Sequence, residues 1–492
     1  MAPFPARHTG KNISLGLDAM LEDLQLDSED WELFAVSDNA ANAKLGVKLS
    51  RHLKQYLCSI HTLELGVKDT FKKTPGMQAV LTITKAMGKF THQSTVATAE
   101  LKKEAEKEGI KFRKIANPPN TRWSGRYSNL KSVLHLKKPL LTLAATYENW
   151  SEHALTAAQW KLVEGAVKML KPVKDTIKVW ETETEPTMQA VIEQLYILHD
   201  SIDTFIRDKE NTKYGIGFAK ELKSQVEKRF PNKGGDDKIR RMANLLNPHL
   251  KGLHLEDMEL VEETKKDIEM EVKKMESNQK ENSVEEEVIE EDTTPLSPNS
   301  KLRKKLQSKQ NMQSKQQTNY TQFRGQSNTP LEKEFVSYMK QYSFSKKGHS
   351  ILNWWRKHEK VLPLLSKVAK KVLSIPASSS KSERVFSCGG NFVSKKRNKL
   401  APKKVEDLII IKENKTRIQA FKAKETYELK PVEKTLSIKV SVDEIIANLD
   451  KDSDDDEVFD HDDDNCEVLF YINEEDSDTD SEEEAYLEEV LD

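Results

Sequence analysis

An apolar stretch at residues 351–414 constrains the fold more than any other part of this chain, because the chain is otherwise polar. Within the stretch, Val361, Leu365, Val368 and Val372 recur at about the spacing of one helical turn. Lysines and a serine occupy the opposite side of the same segment. The pattern therefore predicts an amphipathic helix that buries one face.

Two further short helices are predicted after Pro376, which ends the first. Serines at 378–380 offer a cap for the second helix, and the glycine pair at 389–390 stops it. The third helix carries Leu408 and Ile409 on one face. These helices present more apolar surface than one short helix can hide, so the stretch is either a domain core or an interface with another chain.

The net charge of −2 conceals a strong asymmetry along the chain. Residues 451–492 contain one Lys and 21 Asp or Glu, a net charge of −20, which leaves residues 1–450 with a net charge of +18. A basic body with an acidic tail indicates a polyanionic partner and a tail that competes with it. The tail lacks the apolar residues for a core, so it is predicted to be disordered.

Several classes of protein are disfavoured by composition. The three cysteines are too few and too scattered for a disulfide framework, which favours a reducing compartment. No signal peptide and no apolar run of eighteen residues is present, so nothing indicates secretion or a membrane span. Cys58 and His61 form a C-x-x-H pair with no second pair nearby, and a zinc site needs four ligands, so a structural role is favoured.

An α/β element is predicted near the start of the sequence. Residues 33–36 form a short apolar strand, and Asp38 follows its end. An Asp between a strand and a helix lies where α/β sheets place their chemistry, although an ordinary helix cap is the alternative. Helices are predicted on either side of the strand, at residues 8–26 and 40–57.

The rest of the chain divides by composition. Residues 63–253 are mostly helical by periodicity, with few glycines and little alternation. Residues 255–330 are rich first in Glu and Lys and then in Ser, Gln, Asn and Thr. They predict a charged, partly helical segment that leads into a disordered linker.

Three segments carry a resemblance to a known family. Trp354 and Trp355, followed by IPASSSKSERVFSCGGNFVSKKRNKL, resemble the C-terminal dimerisation region of the hAT transposases and of the BED-finger host proteins derived from them. The segment HTGKNISLGLDAMLEDL with FAVSDNAAN resembles part of that family's RNase H-like sheet. WKLVEGAVKMLKPVKDTIKVW, at residues 160–180, resembles its inserted helical domain.

The resemblance implies an α/β plus all-α chain, in which an incomplete RNase H-like fold is interrupted by a large helical insertion. The expected divisions are a partial RNase H-like segment, the insertion, a charged and disordered linker, the dimerisation region and an acidic disordered tail, at residues 1–62, 63–253, 254–332, 333–425 and 426–492.

The same resemblance implies catalytic positions. Asp38 matches the second carboxylate of the family's catalytic triad, and Glu383 matches the last. Such a triad holds two divalent cations that activate the attacking oxygen and stabilise the leaving one. The family's first Asp and its finger precede the HTG motif, and the sequence contains nothing that matches them. We therefore expect a truncated, incomplete triad and no cofactor; Mg²⁺ would be required only if the triad were completed.

Candidate DNA contacts come from three places. Cys58 and His61 match the family's C-x-x-H motif near the DNA end, and Arg122-Trp123 matches its R-W motif. Trp123 is a candidate to stack on a displaced base, with a buried helix-packing role as the alternative. A small basic patch could contact phosphate or direct nuclear import, or be a solvated face; it comprises Lys395, Lys396 and Arg397.

The candidate dimerisation residues all lie in the apolar stretch that matches the family's dimerisation region. They are Trp354, Trp355, Leu362, Leu365, Val368, Val372, Leu408 and Ile409.

These observations predict a transposase-derived, non-catalytic nuclear protein that dimerises with itself or a related hAT protein and associates with DNA or chromatin. One alternative is an active hAT transposase whose finger and first Asp lie outside this sequence. Another is a scaffold that never touches DNA. No membrane partner is expected.

Overall fold

The structure is a computed structural model that describes residues 7–26, 32–117, 123–255, 258–279, 329–341, 350–393 and 400–415. Helices dominate it, and its described strands form one two-stranded parallel sheet. The predicted α/β plus all-α class is therefore confirmed. Most of the predicted linker and the whole acidic tail lie outside the described residues. Within the described residues, no helix is both long and apolar enough to cross a membrane.

The N-terminal unit is a strand–helix–strand crossover preceded by a helix. It comprises α1 Gly10–Asp23, β1 Leu33–Ser37, α2 Ala41–Leu49 and β2 Leu53–Leu57. The two strands pair in parallel, with Leu33 opposite Leu53 and Ser37 opposite Leu57. A parallel pair needs such a crossover, because its strands run in the same direction.

The prediction of one helix over residues 40–57 is wrong in its second half. The helix ends at Leu49, and Ser50 takes an extended backbone with its hydroxyl donating to the buried carboxylate of Asp18 on α1. Residues 53–57 then pair with β1. Leucines four residues apart favour a helix, but this short segment gains a full ladder of hydrogen bonds as a strand.

The N-terminal helices pack closely through small and polar residues. A Cβ atom on Gly46 of α2 would lie 2.4 Å from the Cγ2 atom of Ile13 on α1, so only glycine fits there. Gly10 and Asp18 are likewise buried on the face of α1 that meets α2. The apolar Leu15 and Met20 of α1 consequently remain exposed.

The described residues between 59 and 279 are mostly helical, as the periodicity of residues 63–253 predicts. In this part of the chain the structure describes eleven α-helices, numbered α3 to α13, at Ser59–Lys73, Met77–Gln93, Thr95–Lys107, Trp123–His135, Lys137–Thr146, Glu148–Ser151, Ala157–Trp180, Val191–Arg207, Lys213–Arg229, Lys238–Leu245 and Met258–Gln279. The long helix α9 starts at a capping box, in which Thr156 and Gln159 satisfy each other's backbone N–H groups. It packs against α11 at a contact between Gly165 and Gly215.

The structure describes five helices in the C-terminal region. They are α14 Pro330–Lys340, α15 Ile351–His358, α16 Pro363–Leu373, α17 Ser380–Phe392 and α18 Pro402–Glu413. Pro363 occupies the first turn of α16, where its missing N–H costs nothing. Val361 precedes this helix and is 59% exposed, so its predicted place on the buried face is wrong. The helix starts too late to include it.

Contacts between distant parts of the chain join the N-terminal unit to the C-terminal region. The carboxylate of Glu32, just before β1, meets the ammonium groups of Lys54, Lys274 and Lys371. Lys371 of α16 also lies 2.7 Å from the carboxylate of Glu271 on α13. The βαβ unit and α16 are therefore held together by an ionic network as well as by packing.

Candidate functional site

Three chain segments meet at the carboxyl ends of the two strands. The N–H of Cys58, which follows β2, donates to the carbonyl of Ser37 at the end of β1 at 2.7 Å. The N–H of Ser59 donates to the carbonyl of Ala377 at 2.9 Å, which brings in the segment that leads to α17. Sites in α/β sheets form at this edge, so the local topology suits a functional site.

Asp38 lies at this edge, directly after β1. Its carboxylate accepts a hydrogen bond from the N–H of Ala40 at 3.1 Å, which closes the turn into α2. The side chain is half-buried. This geometry is an Asx turn and differs from the helix cap given as the alternative, because the N-cap residue of α2 is Ala40 and no side chain caps that helix.

Glu383 lies on the first turn of α17, where it is exposed. Its carboxylate accepts a hydrogen bond from the hydroxyl of Ser379 at 2.9 Å. The start of this helix is anchored to the end of α9, because Ser378 donates to the carbonyl of Trp180 and Arg384 pairs with Glu183 at 2.7 Å. Glu383 therefore belongs to a firmly positioned helix start.

The divalent cations that the resemblance implies need a cluster of carboxylates. Within the described residues, no three His, Cys, Asp or Glu side chains lie close enough to hold a metal ion. Asp38 and Glu383 each already accept a hydrogen bond from a neighbouring group of their own segment. The side chains that the structure describes therefore do not fit a two-metal centre.

Cys58 has a defined structural role in the C-x-x-H pair. Its side chain is 1% exposed, and its sulfur accepts a hydrogen bond from the N–H of His61 at 3.4 Å at the start of α3. The spacing of the pair is therefore that of an N-cap residue, Cys58, and the third residue of the helix that it caps, His61. His61 itself is half-buried. A contact of these two residues with DNA stays a prediction.

Trp123 is packed in the helical region. The indole is 6% exposed, its N–H donates to the carboxylate of Glu64 on α3 at 3.0 Å, and its ring lies 6.2 Å from that of Tyr127. This arrangement favours the helix-packing alternative over base stacking, which would require the ring to leave its site. Arg122 lies outside the described residues, as do the basic patch residues Lys395, Lys396 and Arg397.

Six of the eight candidate dimerisation residues lie in the main hydrophobic core of the chain. They are Trp354, Trp355, Leu362, Leu365, Val368 and Val372, and each is at most 6% exposed. The indole N–H of Trp355 donates to the carbonyl of Leu246 at 2.9 Å, and its ring stacks on Tyr338 at 5.3 Å. In this fold the apolar face is covered by the chain's own helices, so it is unavailable to a second copy.

The other two candidates lie on a separate helical pair, α17 and α18, which we call the C-terminal hairpin. Ile409 packs with Cys388 and Phe392 in a small cluster apart from the main core, and Leu408 borders it. The hairpin leaves other apolar side chains in solvent: Phe386, Val393 and Ile410 are 55%, 45% and 51% exposed.

Sequence reasoning missed Lys251, which burial sets apart from the other lysines. Desolvation lowers its pKa to about 8. Its ammonium donates to the carbonyls of Met339 and Gln341 at the end of α14, and lies 5.2 Å from the centre of the Tyr338 ring. No local sequence signal marks this lysine, because the helix end that buries it lies about ninety residues away.

Comparison with known proteins identifies one region of the chain by family. Residues 334–415 match the hAT family C-terminal dimerisation region. "Putative AC transposase" of Zea mays is 38% identical over 81 residues, which cover 16% of this chain and 10% of the relative. "Putative AC9 transposase" of Zea mays matches to the same extent.

A longer match runs to a plant protein of Arabidopsis thaliana. "Zinc finger BED domain-containing protein DAYSLEEPER" is 22% identical over 294 residues, 60% of this chain and 40% of the relative. The chain thus spans less than half the length of each of these relatives.

Proposed function

We propose that this chain, which carries the hAT C-terminal dimerisation region at residues 334–415, is a transposase-derived protein. In this proposal it assembles as a dimer and associates with DNA in the nucleus. The match of residues 334–415 is the observation that carries this proposal. The proposal includes the five divisions of the chain that the sequence predicts. It also includes an RNase H-like origin for the βαβ unit.

The C-terminal hairpin is the surface within the matched region that best suits a partner. Its two helices are short, so they depend on tertiary packing for stability, and their own cluster contains only three buried apolar residues among those described. Phe386 and Ile410 expose apolar area that a second copy would remove from water, which contributes roughly 25 cal/mol per Å². The dimer we propose therefore forms through the hairpin, while α15 and α16 serve as its internal support.

The proposed activity is binding without strand transfer. Asp38 and Glu383 are the positions that match catalytic carboxylates, and each is engaged in a local hydrogen bond. The described residues supply no third carboxylate near either of them for a metal ion. The relative that matches 60% of this chain is named for a BED zinc finger and not for a transposase.

Light scattering on the full chain across a concentration series tests the dimer. We expect wild type at twice the 56.3 kDa chain mass, and the double variant Phe386→Asp, Ile410→Asp at the chain mass with unchanged helix content. The matched control, Val96→Asp with Leu141→Asp, places the same charges at exposed apolar positions of α5 and α7 and should remain dimeric. If wild type is a monomer at every concentration, the proposed dimer is wrong. If the double variant is a dimer, the dimer interface lies outside the hairpin.

A further inference from the structure

Two stretches of the helical region contain no acidic residue. Residues 70–99 contain four lysines and no Asp or Glu, and residues 109–147 contain eight Lys or Arg and no Asp or Glu. This absence is unusual in a chain with 80 acidic residues among 492. Charge runs normally alternate in sign on solvated helices, so a purely basic surface requires a separate explanation.

The two stretches pack against each other around an extended segment, residues 110–117, which lies between α4 and α6. The Nε2 atom of His92 on α4 lies 2.8 Å from the carbonyl oxygen of Ile115. The side-chain amide of Asn129 on α6 donates to the carbonyls of Thr84 at 3.1 Å and Ala116 at 2.7 Å. A buried asparagine therefore joins the segment to both helices.

The other edge of the segment is held just as firmly. The N–H of Ala116 donates to the hydroxyl of Ser132 at 3.0 Å, and the Nε2 atom of His135 lies 2.8 Å from the carbonyl oxygen of Lys111. A Cβ atom on Gly88 would lie 3.0 Å from the carbonyl oxygen of Ala116, so the segment approaches α4 to backbone distance. These contacts fix the segment and the side chains that it presents.

The surface formed in this way carries only positive charge, and we call it the acid-free face. Its exposed cations are Lys85 and Lys89 of α4, Lys111, Arg113 and Lys114 of the segment, and Lys131 of α6. Lys85 and Lys89 are four residues apart and therefore lie on one side of their helix. No ion pair within the described residues involves any of the five lysines.

Several acidic residues near these stretches have partners other than the five lysines, and Glu108, just before the second stretch, lies 4.0 Å from Lys138. Glu64 accepts the indole N–H of Trp123 at 3.0 Å, and Glu100 accepts that of Trp150 at 2.8 Å. Glu104 pairs with Lys107 at 2.6 Å. In the part of the chain that the structure describes, no ion pair therefore neutralises the charge of the five lysines.

We propose that the acid-free face binds the phosphodiester backbone of duplex DNA. This inference rests on the DNA association in the proposed function and adds the surface that carries it. Phosphate contacts dominate the affinity of DNA-binding proteins, and their surfaces are more polar and more positive than protein interfaces. Binding through this face is therefore tolerant of sequence and strongly dependent on salt.

Two other partners fit the face less well. A protein partner would need an apolar centre, but residues 71–93, 110–117 and 123–135 expose no large apolar side chain among those the structure describes. A single strand would need aromatic rings on which its bases could stack. Phe112 of the segment is half-buried and packs against the main core, and Trp123 and Tyr127 of α6 are 6% and 5% exposed.

Fluorescence anisotropy of the full chain with a labelled duplex of about 30 base pairs, at about 50 to 200 mM KCl, tests the proposal. The variant Lys85→Gln, Lys89→Gln, Lys114→Gln should bind at least about tenfold more weakly at low salt. A plot of its log affinity against log salt concentration should have a negative slope that is smaller in magnitude by about three than that of wild type. The control Lys178→Gln, Lys220→Gln, Lys228→Gln removes the same charge from exposed positions of α9 and α11 and should change neither quantity.

Each contrary result has a separate meaning. If both triple variants weaken binding alike, the effect is one of total charge and the proposal fails. If neither weakens it, DNA binds elsewhere, and the proposed DNA association survives without this surface. If wild type does not bind the duplex at the lowest salt, the proposed DNA association is wrong. The proposed dimer is tested separately, by light scattering.

Discussion

At the scale of single residues, motif positions in this chain serve the fold in ways that spacing alone does not reveal. Cys58 and His61 have a metal-like spacing, yet the thiol accepts a backbone N–H at the start of α3. A helix cap contacts the N–H three residues on, so a cap and a ligand pair produce the same sequence pattern. Only the position of the thiol relative to the helix axis separates the two interpretations.

Lys251 gives a prediction about pH at this scale. Burial lowers the pKa of its ammonium from 10.5 to about 8, so the charged form is disfavoured in the folded chain. Between these values the unfolded chain binds more protons, and the free energy of unfolding therefore rises with pH. We expect a rise of about 1 kcal/mol from pH 8 to 9.5, after discounting for solvent screening.

Denaturant unfolding of the full chain at several pH values measures this rise. Lys251→Met should reduce it, because methionine carries no proton to lose. Lys178→Met, at an exposed position of α9, should leave it unchanged. Lys54 and Lys371 also have pKa values lowered by burial, so part of the rise should persist in the Lys251 variant. An undiminished rise would show that Lys251 stays charged in the folded chain.

At the scale of helices and strands, the crossing of α9 and α11 depends on two glycines. A Cβ atom on Gly165 would lie 2.2 Å from the Cα atom of Gly215, which brings backbone against backbone. We expect Gly165→Ala to lower the free energy of unfolding by about 1 to 3 kcal/mol, because the helices must separate to admit the methyl group.

The matched control for this prediction lies on the same helix as Gly215. A Cβ atom on Gly217 of α11 would meet no other element of the chain within 4 Å, so Gly217→Ala should raise the free energy of unfolding by about 0.5 to 1 kcal/mol through helix propensity. Urea titration of both variants gives the comparison. Equal stabilisation by the two alanines would mean that the helix crossing tolerates a wider separation.

Apolar periodicity in the sequence predicts which face of a helix is buried, but it does not predict contacts between distant residues. The spacing of Leu365, Val368 and Val372 predicts a buried helix face, and the face is buried. Periodicity does not say which chain covers it, so the same pattern is open to both a core and an interface. In residues 53–57 the leucine spacing predicts a helix, but pairing with β1, a contact between distant residues, makes it a strand.

At the scale of the whole molecule, charge is separated into regions of opposite sign. The acid-free face is basic, while residues 451–492, outside the described residues, carry a net charge of −20. The asymmetry of the tail is evident in the sequence. The basic face is not evident there as a surface, because it combines residues from α4, α6 and the segment between them, which only the fold brings together.

This separation predicts that the tail weakens DNA binding. Deletion of residues 451–492 should increase the affinity of the chain for duplex DNA at low salt, because the tail competes for the same cations. The gain should diminish as salt rises, because the screening length falls from about 10 Å at 0.1 M to about 3 Å at 1 M. A tail of equal length with its Asp and Glu changed to Asn and Gln should behave like the deletion. Unchanged affinity in both would argue against competition.

The ionic network at Glu32 also sets the order in which parts of the chain can fold during synthesis. Lys371, one of its partners, lies 339 residues further along the chain. At a rate of about 5 to 20 residues per second, the ribosome needs roughly 20 to 70 s to make that stretch. During this time Phe34 of β1 lacks Val372 and Ile375, which line the same cavity. A message that stops before residue 371 would therefore encode a chain whose first strand lacks these neighbours, and chaperones could bind it there.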